Sequence, residues 1–232
     1  MKKFTADFET CTWLDNETYV WAWALCNIDT EEIKYGNSIN TFFSYCKDNQ
    51  NSTVYFHNLK FDGEFIIYYL LKHKFKHITE KKDIRSNTFM TLINEMGQFY
   101  SITVYFSKGN KKVHKVTFID SLKIIPFSVD QIAKSFNLEI SKLKIDYNKY
   151  RERNHELTIE EQEYIKNDVL IVAKALKVLF SQNLTKMTQG SNALSNYKEI
   201  LGKYKFLHYF PPLEFKIDED IRKAYKRTAS LI

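Results

Sequence analysis

FHNLKFDGEFII, residues 56–67, sets an asparagine, an aspartate and a glycine into an apolar run. STVYFHN (52–58) reads as a compact strand, and a helix is expected from near Phe61 to about Lys74. A strand passing into a helix is a βα unit, and such units among strands and helices imply an α/β or α+β sheet with helices on both sides. Asp62 sits at the turn between the two. A buried carboxylate is costly unless it is paired or holds a metal. Asn58 and Asp62 would also suit the start of a helix as caps, and Gly63 permits a close backbone approach. Capping and metal binding both remain open from these residues alone.

Outward from this junction, KFTADFE (3–9) alternates as a strand and ends at Thr10 and Cys11. YVWAWALCNI (19–28) and the short IKYG (33–36) are further strands, and residues 39–48 suit a helix with Phe42, Phe43 and Tyr45 inward. TFMTLINE, QFYSITVYF and KVHKVTFIDS follow as strands joined by MGQ and SKGNK turns. A helix is expected over Val129–Phe136. The clearest helix is TIEEQEYIKNDVLIVAKALKVLF (158–180), which opens on the capping box Thr158-x-x-Glu161. Its apolar stripe is Ile165, Val169, Val172, Leu176 and Leu179. The fold class is α/β: a mixed central sheet flanked by helices on both sides, with an added β-hairpin region and a short helical tail.

The chain has 232 residues, enough for one sizeable core. Its charge of +6 permits nucleic-acid binding without demonstrating it. Residues 183–232 hold nine basic and five acidic side chains, against twenty-five and twenty-three before them. That asymmetry divides the chain into 1–182 and 183–232. Cys11, Cys26 and Cys46 are odd in number and lack CxxC spacing, so reduced thiols in a cytoplasmic compartment are expected. No membrane span or signal peptide is read, and a monomer is expected.

Three acidic clusters carry the chemistry. Asp7 and Glu9 lie two apart on a strand and leave it on one side. Asp62 stands at the strand–helix junction. Tyr164 and Asp168, four apart on the long helix, share a face beside its apolar stripe. Taken singly, each has a bland reading as a solvated pair, a cap or a packed helix face. Together, four carboxylates without nearby His or Cys ligands suit Mg²⁺ or Mn²⁺. Two such cations roughly 3.5–4 Å apart activate a water and steady a leaving oxygen in phosphodiester cleavage.

DFE (7–9), HNLKFD (57–62) and YIKND (164–168) resemble the three exonuclease motifs of DEDD nucleases, in the subgroup with a tyrosine. With YFHNLKFDGEFII and DSLK (120–123), the chain resembles the proofreading domain of protein-primed family B DNA polymerases as far as about Tyr225. The resemblance implies a ribonuclease H-like fold and 3′–5′ hydrolysis of single-stranded DNA ends. Asp7, Glu9, Asp62 and Asp168 match the metal-binding carboxylates, and Tyr164 the water-orienting tyrosine. Lys142, in KLKI (142–145), matches a catalytic lysine.

The same resemblance makes Thr10, Tyr55, His57, Asn58, Phe61, Phe65, Ser121, Leu122 and Tyr147 contacts for the 3′ end. Aromatic faces stack on any base, which suits an enzyme indifferent to sequence. For Phe65 and His57, core packing and a satisfied structural histidine are competing readings. The terminal (priming) protein is a further implied partner. The resemblance departs at the end of the chain, where AYKRTASLI lacks the expected glycines and the palm aspartates are missing. Residues from 183 would be the start of a palm, with exposed apolar surface around Phe206, Tyr209, Phe210 and Phe215. Polymerisation is not expected of these residues. A free-standing nuclease on RNA or oligonucleotides, and a non-catalytic DNA-binding remnant of a split gene, stay open as alternatives.

Overall fold

The structure is a computed structural model that describes residues 1–11, 18–108, 112–147 and 149–213, with positions 217, 219–221 and 223. The contacts divide the chain after Gln189. The first unit runs through β1 (Lys2–Cys11), β2 (Tyr19–Asn27), β3 (Ile33–Gly36), α1 (Ile39–Asp48), β4 (Ser52–Phe56) and α2 (Leu59–Lys72). It continues with β5 (Lys76–His77), β6 (Thr88–Ile93), β7 (Phe99–Lys108), β8 (Lys112–Asp120), α3 (Val129–Ser135) and α4 (Ile159–Ser181).

The eight strands form one mixed sheet in the order β3-β2-β1-β4-β8-β7-β6-β5. Its centre, β1-β4-β8, is parallel, and antiparallel pairs flank it. One face carries the aromatic core of Phe8, Phe42, Phe56 and Phe118 with Leu59, Ile66 and Leu70 of α2. Phe42, Phe56 and Phe118 are fully buried, each contributing about 1.5–3 kcal/mol by leaving water. The opposite face carries the α4 stripe, with Ile165, Val169, Val172 and Leu176 against Ala22, Ala24 and Cys26 of β2. Helices on both sides of a mixed sheet are therefore observed as expected.

Two relations bring the start of α4 to the end of β1. β1 pairs with β4 only over Lys2–Ala6, opposite Ser52–Phe56, so Asp7–Cys11 run on past the end of β4. α4 runs antiparallel to β1. The Thr5 hydroxyl donates to the Val169 carbonyl at 2.7 Å, and the Lys3 ammonium lies 4.2 Å from the centre of the Phe180 ring. The N-terminal turns of α4 are thereby brought to the projecting end of β1.

The helix after β4 begins at Leu59, two residues before the expected Phe61. The cause is Asn58, whose backbone turns left-handed (φ 75°, ψ 57°) and whose side chain makes no capping bond. The capping is done from a distance. Asp120 Oδ1, at the end of β8, accepts from the N–H groups of Asn58 (3.1 Å), Leu59 (3.3 Å) and Leu122 (3.0 Å). Gly63 serves packing. A Cβ there would stand 3.0 Å from Phe99 and 3.2 Å from Ile102 of β7. The capping box at Thr158 and Glu161 is present in both its bonds.

The second unit, from Gly190, holds α5 (Gln189–Leu201) except its first residue, and α6 (Lys203–Tyr209). Tyr197, Phe206 and Phe210 form a ring cluster with centroids 5.1–6.3 Å apart. Tyr209 and Phe210 are exposed as expected, and Phe206 is half-buried in that cluster. Phe215, Tyr225 and part of the SKGNK turn lie outside the described residues. Among the described residues no helix is long and apolar enough to cross a membrane.

Candidate active site

The site forms where β1 outlasts β4. Beyond Ala6 the β4 side of β1 has no strand partner, and the Phe8 N–H donates instead to Asp62 Oδ1 at 3.2 Å. Asp62 is in the first turn of α2, which leaves β4 at this point. The junction carboxylate therefore takes over where the ladder stops. Such crevices beyond the carboxyl ends of parallel strands are where α/β sheets bind ligands. A register shift against β2 falls between Glu9 and Thr10, after the two acidic residues, so Asp7 and Glu9 keep one face. α4 covers that face and presents Tyr164 and Asp168.

A cleft of about 120 Å³ opens here, walled by Asp7, His57, Lys142 and Asp168 and floored by Ala6 and Val169. Glu9, Asp62 and Asp168 are buried. Their charges act on one another. Burial, then the Asp168 carboxylate, pushes Asp7 up to about 7. Burial, then Asp7 and Asp168, pushes Glu9 up to about 9. Burial and Asp7 raise Asp62 well above the usual carboxylate range. Burial also raises Asp168, opposed by its bond to Lys142. Four mutually repelling acids lack enough positive charge to settle them.

Lys142 supplies part of that charge. Its ammonium meets Asp168 Oδ2 at 2.7 Å, while Asp168 Oδ1 is buried without a hydrogen-bond partner. Burial works against the ammonium, but the bond to Asp168 outweighs it, and the lysine's pKa rises. Tyr164 is buried and its hydroxyl pairs with that of Tyr147 at 2.5 Å. Burial, Glu9 and that bond raise its pKa strongly, so it stays a neutral hydroxyl through the physiological range.

His57 borders the cleft as a satisfied ring. Nε2 donates to the Phe127 carbonyl at 2.7 Å, and Nδ1 lies 3.0 Å from the Ser121 hydroxyl. Burial lowers its pKa. Ser121 is fully buried and donates to the Phe56 carbonyl at 3.0 Å. Leu122 and Thr10 are half-buried, and Asn58 is exposed. Phe61 is exposed, its ring 5.7 Å from that of Phe65. Phe65 leans on the core of its own face, as its competing reading anticipated. Tyr55 is not brought to the cleft. It points into the α4 face, buried, with its ring 5.5 Å from Phe180. Tyr147 is exposed and joins the site through its hydroxyl.

Residues 44–155 and 143–226 match the family of type B DNA polymerases of organelles and viruses. The DNA polymerase of Bacillus phage M2 is 46% identical over 227 residues, covering 97% of this chain and 39% of that protein. The chain belongs to the organellar and viral type B DNA polymerase family. The DNA polymerase of Bacillus phage phi29 is 43% identical across 97% of this chain, and that of Streptococcus phage Cp-1 is 32% identical across 95%. A structure of phi29 DNA polymerase complexed with single-stranded DNA superposes with a TM-score of 0.86 at 39% identity, covering 95% of this chain and 39% of that one. The mixed sheet flanked by helices, expected as a ribonuclease H-like fold, is shared with that polymerase structure. The chain spans about two fifths of the length of these relatives.

In this type B polymerase chain the donor set suits a hard divalent cation. The imidazole at the cleft, His57, has both ring nitrogens engaged, the remaining donors are carboxylate oxygens, and Asp168 has a buried oxygen with nothing to bind. Among the described residues, no three His, Cys, Asp or Glu side chains stand ready to enclose an ion, and the Lys142 ammonium covers the other oxygen of Asp168. Sequence reasoning missed two groups. Asp120 was quoted only within DSLK, yet it holds the start of α2 and the turn at Ser121–Lys123. Arg151, buried beside Glu161, carries no motif; its spacing to the α4 capping box was the one available signal.

Proposed function

We propose that the chain is the 3′–5′ exonuclease region of a phage-type, protein-primed family B DNA polymerase. The observation that supports this reading is that Asp7 and Asp168 line one cleft, that Asp62 accepts from the Phe8 N–H beside it, and that burial and neighbouring acids raise Asp7, Glu9 and Asp62. Two divalent cations, Mg²⁺ or Mn²⁺, held by those four carboxylates would supply an activated water and charge neutralisation at the leaving oxygen.

The chain's own side chains do the rest. Tyr164, kept protonated by its surroundings, directs a hydroxyl at the position of the attacking water. Lys142 offers an ammonium to the phosphate as charge builds on it. His57 and Asn58 border the strand path, and Phe61 presents an exposed ring for a base to stack on. Single-stranded DNA fits the relative solved in complex with it. Within a longer parent, residues from about 183 would begin the palm, the priming protein would be a partner, and replication would proceed in the host cytoplasm.

The test is digestion of an end-labelled single strand with Mg²⁺ or Mn²⁺, comparing wild type with Asp7→Ala/Glu9→Ala. Shortening from the 3′ end by wild type and none by the variant is expected. Equal rates in both would end the proposal.

A further inference from the structure

Residues 141–147 and 149–157, between α3 and α4, are almost without regular structure, yet this stretch carries Lys142 and Tyr147 to the site. Such a segment holds its side chains in place only if something fixes its backbone. Arg151 is the group built for this. Its side chain is buried, and its Nε donates to Glu161 Oε1 at 2.7 Å. Its Nη1 donates to the carbonyls of Asp146 and Lys149, both at 3.0 Å. Those two carbonyls bracket Tyr147. The guanidinium carbon lies 4.3 Å from the centre of the Trp21 ring, and the Arg151 carbonyl accepts from the Tyr19 hydroxyl at 2.5 Å.

The anchor at the other end is equally fixed. Glu161 Oε2 accepts from His155 Nε2 at 2.7 Å and from the Thr158 N–H at 3.1 Å. Glu161 stands three residues before Tyr164 on α4, nearly one turn. The clamp thus ties the backbone on both sides of Tyr147 to the helix turn beneath Tyr164, and the two hydroxyls meet at 2.5 Å.

We propose that Arg151 is a positioning residue which, by holding the carbonyls of Asp146 and Lys149 against Glu161, sets the Tyr147 hydroxyl on Tyr164. It acts through Tyr147 and touches no substrate. A lysine in its place would keep a charge beside Glu161 but lose the planar fork that reaches two carbonyls and a carboxylate together. The kinetic part of the test rests on the exonuclease reading; the proteolytic part does not.

The full chain is assayed on a labelled single strand as wild type, Arg151→Lys, Tyr147→Phe and the double variant. Arg151→Gln is avoided because it would strand the Glu161 charge in the interior. Arg151→Lys is expected to keep the far-ultraviolet spectrum of wild type while kcat falls by about 100-fold, the scale of a misplaced catalytic group. The double variant should match the slower single variant within about twofold, because both changes remove one arrangement. Independent, multiplicative losses would show that Arg151 only supports folding, and an unchanged Arg151→Lys rate would overturn the proposal outright. Trypsin cleavage at Lys142 and Lys144 provides the second arm. Arg151→Lys should be cut there about tenfold faster than wild type, since the open state of the segment is more populated. Equal cutting overturns the proposal. If the wild type digests no DNA, the exonuclease reading fails and the proteolytic arm alone decides the clamp.

Discussion

Glu161 and Asp168 lie two turns apart on the same helix, and their surroundings treat them in opposite ways. Both are buried. Burial raises Glu161, but its bonds to Arg151, His155 and the Thr158 N–H overcome this and hold its pKa down to about 2. Burial likewise raises Asp168, and the single lysine it meets fails to reverse that, leaving Oδ1 without a partner. One helix therefore carries a charge that is fully answered and a charge that is left short. The answered charge builds the fold. The unanswered one, with Asp7, Glu9 and Asp62 beside it, is suited to an added cation.

That contrast can be broken most directly by exchanging the two acids for amides. Asp168→Asn should lower hydrolysis by about 10³-fold, the scale of losing a charge-stabilising group at the reacting centre. Its melting temperature in chelator should hold or rise, as one of four repelling acids is gone. A sharp drop in melting temperature would make Asp168 a structural acid like Glu161. Glu161→Gln should do the reverse, costing about 3–5 kcal/mol because Arg151 is left buried without its partner. Denaturant unfolding measures this, and an undiminished midpoint would remove the distinction between the two regions.

A smaller effect is expected where packing alone supports the site. Gly63→Ala places a methyl against Phe99 and Ile102, and should cost about 1–2 kcal/mol after the gain in helix propensity. Because Asp62 is the preceding residue, hydrolysis should fall more than stability does. Parallel losses in both would show that α2 shifts without disturbing Asp62.

A further test is read in pH. In chelator, the folded-state values of Asp7 (about 7) and Glu9 (about 9) exceed their ordinary 3.8 and 4.5. Their contribution to stability is complete below the ordinary values and is lost as pH rises through the folded ones. Glu161, held near 2, contributes above its ordinary value and loses that contribution as pH falls toward 2. Unfolding curves at pH 5 and pH 9 should show Asp7→Asn/Glu9→Gln losing less stability on the alkaline side than wild type. Identical pH slopes for the two proteins would refute the mutual repulsion.

How much of this was legible beforehand depends on how local each cause is. The capping box of α4 was readable because Thr158 and Glu161 satisfy each other within one turn. Asp7 and Glu9 were placed on one face because strand side chains alternate whatever lies around them. The start of α2 was placed two residues late because its cap, Asp120, comes from another strand 61 residues on from Leu59. Tyr55 was taken as a strand contact because of the resemblance, yet its ring packs against Phe180, about three turns further along α4 than Asp168. Arg151 stood among charged loop residues that look alike in sequence, and only its buried position beside Glu161 sets it apart.

By itself the sequence determined the periodicities, the acids and their spacings, since these depend on neighbours a few residues away. The tertiary structure alone decided that β1 runs past β4, that Asp62 meets its free N–H, and that Arg151 grips the chain around Tyr147. Those outcomes depend on which distant backbone groups lose their partners, and a hydrogen bond across the fold has no signature in either segment until packing brings the two together.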